Sequence, residues 1–132
     1  VLRALQENRI TPVGSGKSIA VDVRIIAATN KNLKKEIEEG RFREDLYHRL
    51  SVIVIDVPSL NSRKQDIPEL IDHFLNNLTD QGFAPKTFTQ EAIDHLKSAD
   101  WTGNVRELRN VVERLHILGS NPVLPEEASK YS

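Results

Sequence analysis

The sequence contains no cysteine and no methionine, and only 5% of its residues are aromatic. Without cysteine there is no disulfide framework, no thiolate metal site and no cysteine nucleophile, a composition that suits a reducing, cytoplasmic setting. Long apolar runs are missing too. Nothing approaches the roughly 20 residues needed to span a bilayer, and the N-terminus lacks the basic start and apolar core of a signal peptide, so no membrane partner is expected. Charge of one sign is also absent: 18 Lys and Arg stand against 19 Asp and Glu, a formal net charge of −1. No general basic field draws this segment to nucleic acid, which argues against its being a DNA-binding module.

What is present is ordinary globular composition, with 39% hydrophobic and 28% charged residues over 132 positions. That suffices for one modest core, or a small domain with an appendage. The chain begins at Val1, with no initiator, on Val1-Leu2-Arg3-Ala4-Leu5-Gln6. This stretch reads as the last turns of an amphipathic helix with no start signal. The chain is therefore expected to be an excised fragment rather than one with a processed N-terminus.

Arg9 to Pro12 and Ser18 to Val21 flank the turn-rich Gly14-Ser15-Gly16-Lys17 and predict a hairpin. Val23-Arg24-Ile25-Ile26-Ala27-Ala28 is too continuous for a half-exposed strand and predicts one covered on both faces. Val52 to Val57, stopped by Pro58, predicts another. Between them lie a charged helix over Lys31 to Glu39, closed by Gly40, and a second short helix over Arg41 to Leu50. From Ser59 onward the pattern is helical only. Pro68 fits the first turn of a helix with an apolar stripe of Ile67, Leu70, Ile71, Phe74, Leu75 and Leu78. Thr89 is expected to cap a second helix running through Leu96. Asn104 is expected to cap a third, with Glu107 completing a capping box and Val105, Leu108, Val111, Val112 and Leu115 forming its buried stripe. The fold class is thus α/β: the remnant of a parallel sheet over residues 1–60, then a small helical bundle over 61–132. The remainder of the sheet is expected upstream of Val1.

Gly14-Ser15-Gly16-Lys17-Ser18 imitates a phosphate loop, but the first glycine of Gly-x-x-x-x-Gly-Lys-Ser/Thr would fall on Thr11, and a strand-like segment follows where a helix is required. The hairpin turn is the better reading. Thr29-Asn30 ends a strand, where ligands gather in open α/β sheets; neutral side chains there can hold phosphate or orient water. On spacing alone, capping the helix over Lys31 to Glu39 is the simpler role for Asn30. Arg43 and Arg49, on a helix, would diverge by about 240°. Their forked, permanent charge suits a neighbouring subunit's phosphate, but local pairs to Glu44 and Asp45 are the simpler assignment. Arg106 falls in the first turn of a helix, where the dipole disfavours cations. Either an external anion or a surface pair to Asp100 or Glu107 accounts for it. The four histidines show no metal-ligand spacing, and no metal site is expected.

Four segments in order carry a resemblance. Val23-Arg24-Ile25-Ile26-Ala27-Ala28-Thr29-Asn30 comes first, then Gly40-Arg41-Phe42-Arg43-Glu44-Asp45-Leu46-Tyr47-His48-Arg49-Leu50. Arg63-Lys64-Gln65-Asp66-Ile67-Pro68 and Trp101-Thr102-Gly103-Asn104-Val105-Arg106-Glu107-Leu108 follow. Together they resemble the C-terminal part of the AAA+ ATPase domain of sigma-54-dependent transcription activators of the nitrogen-regulator type, over nearly the whole chain and thinning after Gly119. The resemblance implies that Thr29 and Asn30 form a first sensor reading the γ-phosphate. It implies that Arg43 and Arg49 are arginine fingers acting on ATP held by the adjacent subunit. Arg106 becomes a second sensor, touching phosphate in its own subunit.

It further implies a parent that binds ATP and Mg²⁺, self-associates into a hexameric or heptameric ring and opens promoters with sigma-54 RNA polymerase. That parent would be a two-component response regulator that binds DNA through a C-terminal helix-turn-helix. The Walker A loop, the Asp-Glu pair for Mg²⁺ and the Gly-Ala-Phe-Thr-Gly-Ala loop are absent from these residues. The chain alone is therefore expected neither to bind nucleotide tightly nor to hydrolyse it. A non-catalytic AAA+-derived oligomerisation module is the rival reading, and another AAA+ machine, such as a helicase loader or chelatase, a second.

Overall fold

The computed structural model describes residues 9–132; the helix expected at Val1 to Gln6 lies outside them. The chain divides into two compact units, Val1–Asp56 and Val57–Ser132.

In the first unit, β1 (Arg9–Ile10) pairs antiparallel with β2 (Ile19–Ala20), Arg9 opposite Ala20 and Ile10 opposite Ile19. Gly14, at φ +80°, supplies the left-handed turn residue. Arg9 crosses the hairpin, its Nε donating to Ser18 Oγ at 3.0 Å and its Nη2 to the Ser18 carbonyl at 3.2 Å. The Gly16-Lys17-Ser18 imitation of a phosphate loop is therefore a hairpin arm whose serine already has a partner.

The two covered strands expected at Val23 to Ala28 and Val52 to Val57 do not form. Both segments are irregular, and Val23, Ile25, Ile26, Val52, Ile53, Val54, Ile55 and Val57 are 50–85% exposed. A strand exists through hydrogen bonds to a neighbour, and neither run has a ladder partner among the described residues. Their β-branched composition signals cover, but the described residues do not supply it. None of the described residues of the first unit is buried.

Helix α1 (Leu33–Glu38) starts on Asn32, whose Oδ1 accepts from the Lys35 N–H at 3.2 Å. It ends as the sequence indicates. Gly40 sits at φ +71°, its N–H donating to the Ile37 carbonyl at 2.9 Å and that of Arg41 to the Glu36 carbonyl at 2.8 Å. These paired bonds satisfy carbonyls the helix leaves open. Arg41 returns to the Glu36 carboxylate through Nε at 2.8 Å and Nη2 at 3.0 Å. That guanidinium holds the Glu36 carboxyl below its ordinary range. Helix α2 (Glu44–Leu50) places Glu44 and Asp45 in its first turn and His48 and Arg49 in its last, matching the helix dipole at both ends.

The second unit owns a core. After two short 3-10 turns, Leu60–Ser62 and Lys64–Asp66, come α3 (Ile67–Asp80), α4 (Gln90–Ser98), α5 (Asn104–Leu118) and α6 (Pro125–Ser129). Pro68 stands in the first turn of α3, where its missing N–H costs nothing. The Thr89 Oγ1 caps α4, accepting from the Ala92 N–H at 3.2 Å. Helix α3 packs on α5, and α4 packs on α3 and α6. Ile67, Ile71, Phe74, Leu96, Leu108, Val111, Val112 and Leu115 interlock, with Leu70 and Leu75 half-buried against them. The 3.6-residue stripes of α3 and α5 are therefore where the sequence puts them.

Trp101 fills the centre at 1% exposure, its Nε1 donating to the Leu96 carbonyl at 2.9 Å. Trp101→Ala removes the largest buried side chain and leaves that carbonyl unpaired. A loss of about 3–5 kcal/mol is expected, read as a lower urea midpoint for the helical signal of this unit. An unchanged midpoint would contradict Trp101's central place.

Beyond α5 the chain is held by Glu127. Its carboxylate accepts from the Leu124 N–H at 2.9 Å, the Ser120 N–H at 2.9 Å and the Ser120 Oγ at 2.8 Å. Those donors stabilise the anion and lower its pKa. A depressed native pKa means that the stabilisation is complete above the ordinary carboxylate range and is lost as pH falls through the lowered value. Amide exchange at Ser120 and Leu124, corrected for intrinsic rates, should accelerate on acidification in the wild type. In Glu127→Gln the two amides should show no such acid-dependent acceleration.

Candidate phosphate-facing residues

The turn into α5 is tied down from both sides. Trp101 donates its backbone N–H to Asn61 Oδ1 at 2.9 Å, while Asn61 Nδ2 donates to the Asp100 carboxylate at 2.5 Å. Lys64 Nζ donates to the carbonyls of Ser98 (3.0 Å) and Ala99 (2.6 Å), closing the C-terminal end of α4. Gly103 is required for close approach rather than for its φ: a Cβ there would stand 2.8 Å from Glu107 Cβ. The Glu107 carboxylate uses that space to accept from the Gly103 N–H at 2.8 Å.

Asn104 is not the cap that its type suggests. It is the first residue of α5, at φ +56°, and its side chain makes no cap bond. Its Oδ1 instead accepts from the Leu60 N–H at 2.8 Å, 44 residues away. The Glu107 half of the expected capping box remains, displaced onto Gly103.

Arg106 stands two residues further on, exposed. Both acids offered to it by the sequence are engaged elsewhere, Asp100 with Asn61 and Glu107 with the Gly103 amide. Arg106 has no hydrogen bond, ion pair or ring contact among the described residues. It is thus a cation at the positive end of a helix without a local counter-charge, the arrangement in which an external anion is most favoured.

The other sequence-predicted residues lie in the first unit. Thr29 Oγ1 accepts from the Lys31 N–H at 3.1 Å. Asn30 is exposed, and the cap role considered for it belongs to Asn32. Arg43 does not lie on α2; it precedes the helix in extended conformation (φ −80°, ψ 131°). The 240° separation from Arg49 therefore does not apply. Arg43 grips Asp45 with both arms, Nε to Oδ1 at 3.0 Å and Nη2 to Oδ2 at 2.6 Å. The pair raises the Arg43 pKa and lowers that of Asp45. This is the local pair anticipated from the sequence, at 73% and 47% side-chain exposure. Arg49 is exposed in the last turn of α2.

The concavities of the second unit, between His73, Asn77, Arg109 and Glu113 and beside Ile117 and Leu118, include none of these residues. Among the described residues no group of three acids or histidines could hold a metal ion. The described residues do not fit Mg²⁺. No helix among them is long and apolar enough to cross a membrane. The positioning residues Asn61 and Lys64 carry no local sequence signal, because their partners lie 34–40 residues away.

Comparison with known proteins assigns the chain. Residues 1–56 match the Sigma-54 interaction domain family, and residues 61–128 the AAA+ ATPase lid domain family. The transcriptional regulatory protein ZraR of Escherichia coli K12 is 49% identical over 127 residues, 96% of this chain and 29% of ZraR. The nitrogen assimilation regulatory protein NtrX of Azorhizobium caulinodans is 50% identical over 92% of this chain and 27% of its own length. Among solved structures, NtrX from Brucella abortus in complex with ATP is 42% identical with a TM-score of 0.89, over 96% of this chain and 31% of that one. The chain thus spans under a third of the length of these relatives. It belongs to the sigma-54-dependent transcription activators, in which it covers the region at the end of the AAA+ ATPase domain.

Proposed function

We propose that this chain is the sensing and lid portion of an ATPase that couples ATP hydrolysis in a ring oligomer to promoter opening by sigma-54 RNA polymerase. Residues 1–60 are the C-terminal part of the α/β core and residues 61–132 the helical lid. The observation that carries this reading is Arg106, exposed in the first turn of α5 without a partner among the described residues. In the lid it touches ATP phosphate of its own subunit.

Thr29 and Asn30 read the γ-phosphate. Arg43 and Arg49 reach ATP bound by the neighbouring subunit, where a planar, permanently charged fork stabilises charge on the transferring group. The exposed β-branched runs at Val23 to Ile26 and Val52 to Val57 support the reading. They are the faces that further strands of a sheet would cover. Nucleotide-bound NtrX, at 42% identity with ATP and 44% with ADP, supports ATP as the ligand. DNA binding belongs to other parts of such a regulator, and a cytoplasmic location follows from its partners.

The test compares the isolated chain of residues 1–132 with the intact protein that contains it. The intact protein should hydrolyse ATP and open a sigma-54 promoter; the isolated chain should do neither. Turnover by the purified, sequence-verified chain alone would overturn the division of labour. An intact protein with no turnover would favour a non-catalytic assembly module instead.

A further inference from the structure

Asn104 occupies a conformation that L-residues seldom adopt (φ +56°), at the start of the helix that carries Arg106. Asparagine tolerates this region better than most side chains, but glycine would tolerate it at no cost, so φ alone does not call for the amide. The amide has a different occupation. Its Oδ1 accepts from the Leu60 N–H at 2.8 Å in a half-buried position, and its Nδ2 donates to the Thr102 carbonyl at 3.3 Å. Leu60 is fully buried and opens the Leu60–Ser62 turn. One side chain therefore fixes the first turn of α5 both to its own loop and to a segment 44 residues earlier.

The neighbouring bonds run in the same direction. Asn61 binds the Trp101 amide and Asp100, so consecutive residues of the 60–62 turn hold both sides of the loop that leads into α5. The Glu107 carboxylate fastens Gly103 from within the helix. Arg106 itself has no partner among the described residues. Its direction is set by the backbone beneath it, and that backbone is set by Asn104.

We infer that Asn104 is a positioning residue for Arg106: the Asn104–Leu60 hydrogen bond holds the first turn of α5 in the orientation from which Arg106 meets phosphate. The inference rests on the phosphate-contacting role proposed for Arg106. Losing the bond allows other orientations of the turn, and apparent affinity falls by the fraction of time the competent one is occupied. A hydrogen bond of ordinary net worth sets that factor at about threefold to tenfold.

The experiment is a double-substitution cycle on ATP affinity in the intact protein. Asn104→Gly keeps the backbone conformation and removes the amide; it should weaken ATP about threefold to tenfold. In an Arg106→Ala background the same change should have no further effect, because a positioning residue acts only through the group it positions. Equal losses in both backgrounds would overturn the inference and assign Asn104 a direct or general structural role. Unchanged affinity in Asn104→Gly would overturn it as well. If Arg106→Ala alone left affinity intact, the phosphate role itself would fail, an outcome separate from the other two.

Should Asn104→Gly not fold, Leu60 amide exchange in the wild type gives the same answer. Linkage requires that ATP binding strengthen a bond that favours ATP binding. Saturating ATP should slow Leu60 exchange in the wild type but not in Arg106→Ala. Equal slowing in both would overturn the inference.

Discussion

Arg43→Ala, introduced into the intact protein that contains this chain, is expected to lower kcat for ATP hydrolysis by roughly 10³-fold or more while leaving ATP binding largely unchanged. Arginines supplied across a subunit boundary to a transferring phosphoryl group contribute roughly 10³–10⁵ in rate, because they meet charge that develops only in the transition state. The structure adds a condition. Arg43 is folded back on Asp45 by two hydrogen bonds, so reaching a neighbour's phosphate requires exchanging one anion for another. Exposed pairs of this kind are worth little, and a polyphosphate offers more charge and more acceptors than one carboxylate. The exchange is therefore easy, and Asp45→Asn should leave kcat near wild type or raise it modestly.

Arg49→Ala should match Arg43→Ala in sign and size. The decisive form of the measurement mixes subunits. On the finger assignment proposed above, a subunit lacking the arginines but competent to bind ATP should be rescued by a partner that supplies them. Wild-type turnover in either single variant would remove the finger assignment, and absence of rescue would place the arginines in their own subunit's site.

The helical unit was legible because its signals are local. Pro68, Thr89 and the 3.6-residue stripes of α3 and α5 each speak of their own helix, and each element formed where its residues pointed. The hairpin and the Gly40 stop were legible for the same reason. The strands were not. Val23 to Ala28 and Val52 to Val57 carry the composition of covered strands, but a strand is a relation between two segments, and the second segment is not among the described residues. Asn104 failed in a different way. Its type predicted a cap, yet a buried Leu60 amide 44 residues away competed for the same oxygen and took it. No window on the sequence contains both partners. Asn30 lost its cap role to Asn32 by two residues, within the ordinary uncertainty of helix boundaries. As for the site, sequence order supplied the residue types, and the fold showed the local partners that Thr29 and Arg43 had taken.

Arg106→Ala carries the other large effect, with a signature that separates function from stability. A charge-assisted hydrogen bond to phosphate is worth about 1.5–3 kcal/mol, so ATP affinity should fall by about 10- to 150-fold. Without nucleotide the same substitution should do no harm. A cation in the first turn of a helix opposes the dipole by about 0.3–1 kcal/mol, alanine is the better helix former, and Arg106 has no partner among the described residues to lose. The nucleotide-free variant should therefore melt at the wild-type temperature or slightly above it, while the rise in melting temperature on adding ATP shrinks. Arg106→Lys should fall between, keeping charge but losing the fork that matches phosphate oxygens. A surface-pair role for Arg106 predicts the opposite pattern: a lower melting temperature without ATP and an unchanged response to it. Measuring melting temperature against ATP concentration for the three proteins distinguishes the two directly, because ligand stabilisation grows with concentration relative to Kd. Parallel curves, displaced downward in the variants, would return Arg106 to the surface.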